Sequence, residues 1–135
     1  MARSYAEALG ADLAIVAKHR VSATRVEAMN VIGDVEGRDV ILVDDMTETA
    51  GTLTAAAEIL GKHGAKRIFA GVSHAVLGDL GRERINNSVI EEIITTDSVP
   101  QATGEKVRAV GIAPLLGEAI RRIHGGQSVT SLFEV

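Results

Sequence analysis

The sequence predicts an α/β domain: a mostly parallel sheet flanked by helices. Two observations lead there. Apolar runs of four to six residues alternate along the chain with stretches of helical spacing, the pattern of strand–helix–strand units. Hydrophobic residues make up 46% but aromatics only 2%, so the interior is built from Ala, Val, Ile and Leu. Such small and branched side chains suit parallel strands buried beneath helices.

In chain order, Arg3 to Leu9 reads as a helix with Gly10 as its C-cap. Asp12 to Val16 is an apolar strand candidate. Ala17 to Glu27 is polar and without period, and is expected to form a mobile loop. Met29 to Ile32 and Val40 to Val43 are strands, and Gly33 to Gly37 between them has the composition of a hairpin turn. Val40 to Val43 is expected at the centre of the sheet. Leu53 to His63 carries apolar residues at helical spacing, with Gly64 following as its C′ residue. Arg67 to Val72, Glu92 to Thr96 and Val107 to Val110 read as strands, with Phe69 in the core. Gly81 to Asn86 is a short helix. A last helix has Pro114 in its first turn, Ala113, Leu116, Ile120 and Ile123 on its inner face, and Gly125 at its end.

The 135 residues suit a single domain, and the net charge is −4. No basic run points to nucleic acid, and no apolar stretch approaches the ~20 residues of a membrane helix. There is no Cys, which excludes disulfides and thiolate metal sites. With no charged region and apolar core at the N-terminus to suggest a secretory signal, a cytoplasmic location is expected.

The stretch that carries chemistry runs from Val40 to Thr52. A buried strand is followed by Asp44-Asp45, then a small-residue loop, Glu48-Thr49-Ala50-Gly51-Thr52, that opens a helix. Free N–H groups and the dipole at a helix N-terminus favour phosphate. Gly51 lets the backbone approach closely, and the Thr hydroxyls add donors. Asp44 and Asp45 are placed to accept hydrogen bonds from vicinal sugar hydroxyls and to hold the waters of a divalent cation. The plain alternative is a strand ending in two acids before a Thr-capped helix. Of the four His, none pairs with another at metal-ligand spacing, so no metal-ligating residue is assigned. His63 and His124 sit at helix C-termini, and His74 ends a strand where it can line the site.

This segment resembles the phosphoribosyl-pyrophosphate motif of type I phosphoribosyltransferases and of the ribose-phosphate pyrophosphokinases that make their substrate. The flanks are similar to the second of these. Leu9 to Arg20 resembles the pyrophosphokinase's strand and flexible catalytic loop. Met29 to Gly37 resembles its hairpin, and His74-Ala-Val, Glu83-Arg84-Ile85 and Asn87-Ser88 its flag region. Thr96 to Pro100 and Ala113 to Phe133 resemble its Thr-Asp-Thr-Ile-Pro segment and its end, where Ser128 and Ser131 correspond to part of a regulatory phosphate site. Glu48 stands where the family usually has Asp, His19 where it has Arg, and Leu77-Gly78-Asp79 where it has Phe-Ser-Gly.

The resemblance implies a phosphoribosyltransferase-like domain over residues 1–135, the C-terminal half of the pyrophosphokinase without its N-terminal half. It implies an enzyme of nucleotide biosynthesis that forms phosphoribosyl pyrophosphate and AMP from ATP and ribose 5-phosphate with Mg2+, as a homo-oligomer. Lys18 and Arg20 take the place of the catalytic loop's cations; alone, Lys18-His19-Arg20 reads as a solvated turn. Asp44 and Asp45 fall where the ribose hydroxyls bind, and Glu48 to Thr52 where the 5-phosphate binds. ATP would be held by a missing or partner half. Two alternatives stand beside this: a non-catalytic ribose-5-phosphate-binding or regulatory module that docks on the pyrophosphokinase, and a phosphoribosyltransferase, for which no base-binding hood is visible.

Overall fold

The structure, a computed structural model, describes residues 1–19, 28–100 and 104–133. It contains α1 (Ala2–Leu9), β1 (Ile15–His19), β2 (Ala28–Ile32), β3 (Asp39–Thr47), α2 (Gly51–Lys62) and β4 (Arg67–Ala75). These are followed by α3 (Asp79–Asn86), β5 (Glu92–Thr96), β6 (Val107–Val110), α4 (Ala113–His124) and a single 3-10 turn at Thr130–Leu132. The fold class is as expected, α/β. Strands β3, β4, β5 and β6 lie side by side in that order, all parallel. The β3–β4 connection runs through α2 and the β4–β5 connection through α3, because parallel neighbours need a crossover.

The core sits on the face of the sheet beneath α2. Leu53, Ala56, Ala57 and Leu60 of α2 are buried, a spacing of i, i+3, i+4 and i+7 that puts them on one stripe. They meet Ile68, Ala70, Val72 and Ile93, with Val40 and Leu42 packed at the margin. Leu60 and Ile93, at 1% and 0% exposure, contribute about 1.5–3 kcal/mol each by burial.

Five expectations from sequence are corrected. The first strand is not Asp12 to Val16 but Ile15–His19, so residues 17–19 are strand and not loop, and 20–27 lie outside the described residues. Gly33 to Gly37 is not a hairpin turn joining β2 to β3. β2 pairs antiparallel with β1, from Ile15 opposite Ile32 to His19 opposite Ala28. The 33–37 segment instead plugs Val35, 4% exposed, into the core, while Arg38 binds Asp12 at 2.8 Å and Asp34 at 3.2 Å. Local apolar spacing cannot see that β3 gains more by burying Val40 and Leu42 alongside β4.

β3 is the edge of the four-stranded sheet among the described residues, not its centre, and Ile41 on its outer face is 51% exposed. The stripe expected to be the inner face of α4 is also open, with Leu116, Ile120 and Ile123 at 52%, 67% and 68% exposure. The half-buried side of α4 is polar instead. Glu118 takes Arg121 and Arg122 at 2.8 and 2.7 Å, and these hydrogen bonds hold its carboxyl down at about 2. Arg122 also donates to the Ser131 hydroxyl at 2.6 Å and the Ser128 carbonyl at 3.3 Å. Phe69 is half-buried rather than interior, under the Arg67 guanidinium at 4.7 Å.

Candidate phosphate loop and its surroundings

β3 carries the acidic pair to the C-terminal end of the sheet. The Cα register places Asp44 in one row with Val72, Thr95 and Ala109, one residue short of the ends of β5 and β6. The strand continues to Thr47, so the two acids lie inside β3 and not at its exit. Side chains alternate along a strand. Asp44 therefore shares the face of Val40 and Leu42 and is half-buried, whereas Asp45 leaves from the opposite face and is exposed. Each carboxylate also accepts from the next backbone amide: Asp44 Oδ1 from Asp45 N–H at 2.9 Å, Asp45 Oδ1 from Met46 N–H at 2.8 Å.

Burial pushes the Asp44 carboxyl above its ordinary range, opposed by the hydrogen bond from the Asp45 amide. A carboxyl raised in the fold contributes stability that is complete below its unfolded value and lost as pH rises through its folded value. Replacing Asp44 by Asn keeps the acceptor for Asp45 N–H and removes the charge. The melting temperature of Asp44→Asn is therefore expected above that of the parent at about pH 7, the gap closing towards about pH 3. Thermal unfolding at the two pH values checks this; a lower melting temperature at about pH 7 contradicts it.

The loop after β3 opens α2. Ala50 is its N-cap in the left-handed region, φ 54 and ψ 10, and no side chain caps the helix. Ala50 is the one non-glycine with positive φ among the described residues. That geometry costs a non-glycine about 1–2 kcal/mol. Burial of its methyl, 2% exposed, and hydrogen bonds from Thr54 N–H and Oγ1 to its carbonyl, both 2.9 Å, act against that cost. Because Thr54 makes the first helical bond, the N–H groups of Gly51, Thr52 and Leu53 precede it and stand available to an anion. Glu48, Thr49 and Thr52 are exposed at this turn.

The structure thus brings Asp44, Asp45, Glu48, Thr49, Ala50, Gly51 and Thr52 to one end of the sheet. Lys18 lies in β1 with its Cα opposite Met29. Its side chain, and all of Arg20, lie outside the described residues. His74 is near the end of β4, paired in register with Met46, and its Nδ1 lies 2.6 Å from the Ser98 hydroxyl. A groove of about 570 Å3, lined by Tyr5, Leu9, Leu13 and Ile41 among others, runs between α1 and β3, along the flank of the sheet rather than at the loop.

One neighbour of the loop went unassigned in the sequence. Arg84, on α3, donates from Nη1 to the Thr49 carbonyl at 3.1 Å. The two residues are 35 apart in the chain, and only the turn of α3 back over the loop unites them.

A family model for the phosphoribosyl synthetase-associated domain matches residues 19–134. The chain belongs to that family. It is 48% identical over 135 residues to the ribose-phosphate pyrophosphokinase of Caldanaerobacter subterraneus subsp. tengcongensis, covering 98% of this chain and 43% of that protein. It is 49% identical over 138 residues to the enzyme of that name from Vibrio parahaemolyticus, covering 98% and 44%. Among solved structures, phosphoribosylpyrophosphate synthetase from Mycobacterium smegmatis superposes with a TM-score of 0.83 at 32% identity, over 92% of this chain and 41% of that one. The chain therefore spans somewhat under half the length of the relatives it matches. No described helix of this family member is long and apolar enough to cross a membrane.

Proposed function

We propose that the chain is the ribose-5-phosphate-binding part, the C-terminal half, of a ribose-phosphate diphosphokinase, an enzyme of nucleotide biosynthesis acting as a homo-oligomer in the cytoplasm. The reaction moves pyrophosphate from ATP to the 1-hydroxyl of ribose 5-phosphate and releases AMP. The observation that carries the reading is the uncapped first turn of α2 lying just beyond an acidic pair at the C-terminal end of a parallel strand. That is where ligands bind in such sheets. The relatives' shared name supports the same reaction.

In this reading the N–H groups of Gly51 to Leu53 and the Thr49 and Thr52 hydroxyls take the 5-phosphate. Asp44 and Asp45 take the ribose hydroxyls. Glu48 is exposed at the loop, its side chain one methylene longer than the Asp usual in the family. Lys18 and Arg20 neutralise charge on the transferring phosphoryl oxygens. The hydroxyl's proton leaves as its oxygen bonds to the β-phosphorus and the bond to the AMP oxygen breaks.

Mg2+ accompanies ATP in this chemistry. The donor type fits it: Asp44 and Asp45 are hard carboxylate donors at consecutive positions of β3. An ion of that kind is held through water and substrate phosphates rather than by a protein cage. Asp44 and Asp45 are the residues that would hold its waters, and the ion would screen phosphate charge.

The test separates sugar from phosphate. In Asp44→Ala and Asp45→Ala, affinity for ribose 5-phosphate is expected to fall by about tenfold or more, the worth of a lost charged hydrogen bond, while inorganic phosphate binds much as before. Titration calorimetry with both ligands reads this. Equal losses for the two would leave the pair a structural role only.

A further inference from the structure

Arg84 stands apart from the other described arginines. Arg3, Arg38, Arg67, Arg82, Arg108, Arg121 and Arg122 each pair with a carboxylate. Arg84 has no carboxylate partner among the described residues, and its one hydrogen bond is to the Thr49 carbonyl. Its charge is left unneutralised beside the turn assigned above to a phosphate dianion. A Cβ placed on Gly51 would come within 3.1 Å of Arg84 Nη1, so the guanidinium lies directly against the first residue of α2.

The position is held from a second point. Gly81, one turn earlier on α3, packs so closely on the loop that a Cβ there would meet the Glu48 carbonyl oxygen at 2.5 Å. α3 is therefore seated on the backbone of Glu48 through the buried Gly81, and from that seat the exposed Arg84 side chain reaches the Thr49 carbonyl. With one Nη1 hydrogen spent on Thr49, the planar fork keeps further donors for an anion.

We propose that Arg84 is a further ligand-binding residue of the phosphate turn, supplying its cation while fixing the Thr49 carbonyl. The inference rests on the reading of that turn as the ribose-5-phosphate site. It predicts a signature opposite to that of the acidic pair, since a residue addressing phosphate affects every ligand that carries one.

The experiment uses the full chain, with ribose 5-phosphate and inorganic phosphate as probes. Arg84→Gln is expected to bind both about tenfold more weakly, by the same factor, with a shallower salt dependence and an unchanged melting temperature. Arg84→Lys, which keeps the charge, is expected to recover part of the loss. Independently of any variant, ribose 5-phosphate is expected to protect Arg84 of the parent chain from phenylglyoxal, read by peptide mass spectrometry. Parent affinity in Arg84→Gln, or modification of Arg84 undiminished at saturating ligand, overturns the proposal. If the parent chain takes up neither probe, the reading of the turn falls together with Arg84. Binding by the parent with Arg84 indifferent removes Arg84 alone.

Discussion

Valine in place of Gly51 is expected to lower the affinity for ribose 5-phosphate by ~100-fold or more, close to 3 kcal/mol, while leaving the fold standing. Gly51 is the first residue of α2, and its N–H is one of those that precede the first helical hydrogen bond. Its φ is not positive, so a side chain there carries no backbone strain. The open space is also limited in one direction only, by the end of the Arg84 side chain at 3.1 Å, with Thr49 Oγ1 next at 3.8 Å. A flexible guanidinium can move aside. The two γ-methyls of valine then occupy the volume in front of the N–H groups, and phosphate loses both its donors and the space to approach them. The helix-propensity difference between Gly and Val is a few tenths of a kcal/mol, so the melting temperature changes little. Calorimetry shows the loss and thermal unfolding shows the retained fold. Undiminished affinity in Gly51→Val would mean that the first turn of α2 is not where the phosphate sits.

The parts of this molecule that were legible from sequence share a cause: their signals are local. Leu53, Ala56, Ala57 and Leu60 declare the inner stripe of α2 by spacing alone, and the same residues form its buried face. Asp44 to Thr52 is one continuous segment that runs from strand through a short turn into helix, as expected, although β3 extends past the two acids to Thr47. What was not legible depends on pairing at a distance. Met29 to Ile32 and Val40 to Val43 look alike as apolar runs, yet one joins a two-stranded hairpin with β1 and the other a parallel sheet with β4. The choice depends on where α2 returns the chain. The stripe of α4 illustrates the converse. Leu116, Ile120 and Ile123 have the period of a core face, but period reports only that a face is apolar and not that anything covers it. Arg84 was hidden for the same reason, because its neighbour Thr49 is brought to it only by the packing of Gly81 on Glu48.

Assayed by itself, the 135-residue chain is expected to release AMP from ATP and ribose 5-phosphate well below ~1 per second, the low end of typical enzymes. Pyrophosphoryl transfer depends on holding two substrates in line, and positioning supplies most of the catalysis. On the proposed reading the described residues provide for one substrate, through the turn of α2 and the acidic pair. Little in them suits an adenine ring. Tyr5 and Phe133 are 46% and 79% exposed, and Phe69 is already covered by Arg67 at 4.7 Å. The relatives that bear the pyrophosphokinase name are more than twice as long, with 43% of the first of them matched here. Their remaining length is the natural source of a nucleotide site, in cis or on a partner chain. Adding a polypeptide that corresponds to that remaining length is therefore expected to raise the rate by orders of magnitude, with a dependence on ribose 5-phosphate that Gly51→Val abolishes. The measurement is AMP formation with magnesium, at high protein concentration, with and without the added polypeptide. A rate near ~1 per second from the chain alone would show that its own residues position the nucleotide as well as the sugar phosphate.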